Sequence, residues 1–66
     1  MQVIVNGQSR PVPPGATVAQ LLESMSLAGK RVAVERNGEI VPKSQHPQAL
    51  LADGDRLEIV VAVGGG

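Results

Sequence analysis

The residues with the clearest chemical opportunity are Gly64, Gly65 and Gly66, which follow an apolar stretch with no polar spacer. Gly66 presents a carboxylate as the last group of the chain. A carboxylate is a poor electrophile, so transfer of a nucleophile onto it requires activation, most simply as an acyl-adenylate. That step takes place in the nucleotide pocket of another protein, and the carboxylate must reach it. Glycine suits such threading because it adopts any φ and lets surrounding backbone approach closely. Fully extended, residues 63–66 reach about 13 Å, enough to leave a folded body outside the pocket. A side chain at Gly65 or Gly66 would obstruct a narrow channel.

The other polar residues offer less. His46 stands between Gln45 and Pro47, with no cysteine and no second histidine in the chain. It reads as a solvated loop histidine, not a base or a metal ligand. Ser44 has no partner that would activate it as a nucleophile. Asp53 and Asp55 flank Gly54, but one such turn lacks the oxygen ligands of a calcium loop and reads as a tight turn. Lys30, Arg31 and Arg36 read as solvated charges. No glycine-rich phosphate cradle lies between a strand and a helix, so a nucleotide is not expected to bind this chain alone. No metal or resident cofactor is expected.

Sixty-six residues allow one domain, too small to enclose a catalytic cavity behind a second layer. With no aromatic residue and no cysteine, the core must be aliphatic and unstapled. Six basic residues balance six acidic ones, which argues against nucleic-acid and anionic-membrane binding. No run approaches the roughly 18 apolar residues of a membrane span. Met1 enters a strand-like stretch directly, so no targeting segment is expected, and a cytoplasmic location is.

The elements that must position the tail follow from pattern. Residues 1–5 are largely apolar and β-branched and stop at Asn6-Gly7, a pair suited to a type I′ hairpin. Residues 8–12 form the returning strand, held to a sheet edge by Pro11 and its neighbours Pro13 and Pro14. Thr17 and Gln20 have the spacing of a capping box. Val18, Leu21, Leu22 and Met25 make one helical stripe, which Leu27 extends and Gly29 stops. Residues 31–35 form a third strand ending near Asn37-Gly38, and residues 39–41 a short strand cut by Pro42. Residues 43–51 connect with a helical turn, and residues 56–63 form the last and longest strand. The fold class is therefore α+β, a mixed sheet of four to five strands packed on one main helix. The expected domain spans residues 1–63, with residues 64–66 as a flexible tail.

This order, with a first strand at Met1 and a last strand running into terminal glycines, resembles the β-grasp or ubiquitin-like fold. Within that superfamily the chain resembles the ThiS family of sulfur carriers of thiamine thiazole biosynthesis. The match rests on length, on Ile40-Val41-Pro42-Lys43-Ser44 after the Asn-Gly turn, and on Asp53-Gly54-Asp55 leading the last strand to Gly65-Gly66. The resemblance implies a carrier, not an enzyme, with Gly66 adenylated and then thiocarboxylated. It also implies three partners: a ThiF-type adenylyltransferase using ATP and magnesium, a cysteine desulfurase or its relay as sulfur donor, and thiazole synthase as acceptor. A chain without thiols cannot hold sulfur as a persulfide, which leaves the thiocarboxylate. The small subunit of molybdopterin synthase and ubiquitin-like protein modifiers share the tail and the fold, and remain the alternatives.

Strand alternation then divides the last strand. Leu57, Ile59 and Val61 are assigned to the core with Val3, Val5, Val32 and Val34. Ile4, Val60 and Ala62 fall on the open face, as an apolar docking patch beside the tail.

Overall fold

The computed structural model of the chain describes residues 1–62. Both Asn-Gly pairs turn hairpins as their chemistry requires. Asn6 and Gly7 have φ of 50° and 84°, and Asn37 and Gly38 have 52° and 86°. These left-handed values at both central positions match the twist of the flanking strands. The first hairpin joins β1 (Gln2–Val5) to β2 (Gln8–Pro11), and the second joins β3 (Val32–Arg36) to β4 (Glu39–Ile40). The last strand, β5 (Arg56–Val61), lies between the two hairpins in a five-stranded sheet of order β2-β1-β5-β3-β4. It runs parallel to β1 and antiparallel to β3. Pro11 thus stands on an edge strand, where a missing donor is tolerated.

Helix α1 (Val18–Ser24) carries the expected capping box: Gln20 N–H donates to Thr17 Oγ1 at 3.2 Å, and Thr17 N–H to Gln20 Oε1 at 2.9 Å. It stops earlier than its stripe suggests. Met25 is the C-cap, and Ser26 takes φ of 60° in the left-handed position that glycine usually fills. Leu27 N–H then reaches back to the Leu22 carbonyl and Ser26 N–H to that of Glu23, which satisfies the last carbonyls. Gly29 belongs instead to the following turn, where Lys30 N–H donates to Leu27 O.

Val18, Leu21 and Leu22 pack on Val3, Val5, Val34, Leu57 and Ile59, and Val12, Ala16 and Leu51 close the margins. Two of the expected core residues differ. Val61 is 40% exposed and Val32 only half-buried, although both point to the helix side. A seven-residue helix is about 10 Å long and covers the middle of the sheet but not the far end of β5.

The connection after β4 begins with a 3₁₀ turn, η1 (Lys43–Gln45), and then folds over the start of α1. Ala19 N–H donates to His46 O and Val18 N–H to Ala49 O. His46 is 6% exposed, not solvated, and its Nε2 donates to Val41 O at 3.0 Å. The imidazole fills the gap between this connection and the helix. The architecture is that of a β-grasp: a mixed sheet holding one helix.

Candidate functional site

The candidate site is built on the last strand, and its position is set by how β5 is held. At its start, Asp55 is buried. Its Oδ2 accepts Ala52 N–H at 2.8 Å and its Oδ1 accepts Asn37 Nδ2 at 3.0 Å. Its own N–H donates to Ala52 O, which closes the turn. Ile4 N–H donates to Asp55 O at 2.8 Å, and Asn6 N–H to Leu57 O at 2.9 Å. The two turn asparagines then grip the strand from either side. Asn6 donates from Nδ2 to Ile59 O and accepts Ile59 N–H, at 3.0 and 2.8 Å. Asn37 Oδ1 accepts Arg56 N–H at 3.0 Å. Beyond Ile59, β3 is the one strand paired with β5 among the described residues, through Ala33–Val60 and Val32–Val61.

The chain leaves the sheet at this less enclosed end. Ala62 N–H donates to Arg31 O at 2.9 Å, the last ladder bond described. The proposed attachment point, Gly66, and the threading residues Gly64 and Gly65 lie with Val63 outside the described residues.

The three residues of the expected docking patch share the open face but are not one cluster. Ile4 is half-buried and stands opposite Arg56, four residues along β5 from Val60. That offset is about 13 Å at a strand's rise. Val60 is 61% exposed, and its cross-strand neighbour is Ala33, which sequence reading missed. Val60, Ala62 and Ala33 line a shallow groove flanked by Arg31 and Lys43. One pleat step inward, Glu58 stands opposite Glu35, both exposed. Ala33 was recoverable only from the antiparallel register, which no residue in the strand specifies by itself.

On the helix side of the same end, Leu22, Leu27, Val32 and His46 line an apolar cleft rimmed by Lys30, Lys43 and Glu23. No group of three or more potential metal ligands occurs among the described residues. No described helix is long and apolar enough to cross a membrane. What the arrangement offers chemically is therefore a strand end paired on one side by β3 and an apolar strip beside it.

Comparison with known proteins bears on this chain. The ThiS family model matches residues 3–66, through the final glycine. The chain is 33% identical over 66 residues to the sulfur carrier protein ThiS of Escherichia coli, covering the whole of both chains. It is 47% identical over 66 residues to a thiazole synthase of Paramagnetospirillum magneticum, covering all of this chain and 20% of that one. The chain spans about a fifth of the length of this relative and of a second thiazole synthase, from Magnetococcus marinus. Among solved structures, it resembles the thiamine biosynthesis protein ThiS of Geobacter metallireducens with a TM-score of 0.83 and 32% identity, again over the whole of both chains.

Proposed function

Because the chain belongs to the ThiS family, we propose that it is a sulfur carrier whose Gly66 carboxylate passes through an adenylate to a thiocarboxylate. The observation that carries this reading is the family match, which extends through the terminal glycines. In the first step a carboxylate oxygen attacks the α-phosphorus of ATP and pyrophosphate leaves, giving acyl-AMP. In the second, the terminal sulfur of the donor's persulfide forms the C–S bond as the C–O bond to AMP breaks. A thiol then reduces the resulting S–S bond, becoming a disulfide and releasing the thiocarboxylate. ATP and magnesium belong to the activating partner, a ThiF-type adenylyltransferase, and the sulfur comes from a cysteine desulfurase or its relay. This chain contributes the carboxylate, the glycines that thread it and the face that docks, so it acts as a substrate and not as an enzyme.

The acceptor in this reading is thiazole synthase. Full-length alignment with a fifth of two chains of that name supports a standing association between the two modules. A module of this kind works in the cytoplasm beside those enzymes.

Intact-mass spectrometry tests the reading after incubation with a ThiF-type enzyme, ATP and a sulfur donor. The expected result is exchange of one oxygen for sulfur, localised to Gly66 and abolished by deleting Gly65 and Gly66. No mass change under conditions that thiolate the Escherichia coli carrier would refute it, and conjugates to lysines in cell extracts would favour a protein modifier.

A further inference from the structure

We infer that the tail end of the open face docks onto a protein rim bearing carboxylates around an apolar side chain. The inference rests on the carrier reading, since it concerns the mouth of the channel that receives residues 63–66. The chain's formal charge is zero, but its charges are not evenly spread. Arg31 and Lys43 flank the groove formed by Ala33, Val60 and Ala62, on the side from which the chain continues toward Gly66. Lys30 adds a third cation at this end, where it shares the helix-side cleft with Glu23. On the open face the nearest acidic groups are Glu35 and Glu58, one pleat step further from the tail. Going inward from the tail, the face therefore reads basic, apolar, acidic, with exposed Ile40 opposite Glu35 and Arg56 one pleat step beyond Glu58.

Two features make this order a recognition pattern. Val60 and two alanines are too small an apolar area to hold a complex in one orientation, so flanking charges must supply orientation and encounter rate. Glu35 and Glu58 stand directly opposite each other, an arrangement that disfavours the isolated sheet. A cation on the partner relieves that repulsion. The complementary partner thus has acidic groups at the channel mouth, an apolar side chain against Val60, and a basic group beyond it.

The test measures binding of the full chain to a ThiF-type adenylyltransferase by surface plasmon resonance, at low and at physiological salt. The double variant Arg31→Glu/Lys43→Glu is expected to bind about tenfold more weakly, mainly through a slower on-rate, with a flatter salt dependence. In thiolation assays KM should rise while kcat holds. Arg31→Gln/Lys43→Gln should give a smaller loss of the same kind, with circular dichroism confirming the fold of each variant. Arg10→Glu/Arg56→Glu makes the same change in net charge at the other end of the sheet and should bind within about threefold of wild type. Equal losses in the two reversals would overturn the docking surface while leaving thiolation of the wild type, and so the carrier reading, intact. A wild-type chain that is bound but never thiolated removes both. Sedimentation velocity covers the remaining occupant: self-association abolished by Arg31→Glu/Lys43→Glu would assign the groove to a second copy and overturn the proposal.

Discussion

The two ends of β5 are held in opposite ways. At its start, side chains hold the strand: Asp55 is buried with both carboxylate oxygens bonded, and Asn37 holds the Arg56 amide. Asn6 extends the grip of β1 to Ile59 by using its side-chain amide as though it were another residue of strand. Past that point the strand has β3 on one side, and Val60, Val61 and Ala62 are exposed. One strand is thus anchored at one end and paired on a single side at the other. The side-chain hydrogen bonds that hold the strand are concentrated where the chain enters the sheet.

The contrast can be broken by substitution. The largest stability loss is expected from Asp55→Ala, which strands the Ala52 N–H and the Asn37 amide: about 2–3 kcal/mol in urea denaturation. Asn6→Ala should cost about 2 kcal/mol, because it removes two hydrogen bonds and places alanine at positive φ. Asn6→Gly keeps the backbone and should lose about 1 kcal/mol, so the difference between the two variants isolates the conformational part. At the other end, Val60→Asp should change stability by less than about 0.5 kcal/mol while weakening partner binding. A stability loss at Val60 as large as that at Asp55 would mean that the tail end is part of the structural core.

Local chemistry makes much of this molecule legible in its sequence. Asn6-Gly7 and Asn37-Gly38 specify hairpins because both positions need positive φ, and Thr17 with Gln20 specifies a helix start because it satisfies free amides within one turn. The aliphatic alternation of β5 correctly separated Leu57 and Ile59 from Val60. Other features depended on what lay across from a residue. His46 looked solvated between Gln45 and Pro47, but the connection that carries it folds over α1 and buries the ring. Val61 has the parity of a core residue, yet it lies beyond the reach of a short helix.

The patch shows the same division. Alternation placed Ile4, Val60 and Ala62 on one face, because side chains in a strand point to opposite sides in turn. It could not place them together, since the offset between β1 and β5 is a property of pairing. Parallel register sets Ile4 beside Arg56, and antiparallel register brings Ala33 to Val60. By itself, then, the sequence determined the turns, the cap and the faces of each strand, all of which arise from interactions within a few residues. Only the tertiary structure decided which strand flanks which, that His46 is enclosed, and where Arg31 and Lys43 meet the apolar groove. Those outcomes depend on contacts between residues far apart in the chain, whose energies exist only once the sheet has closed around β5.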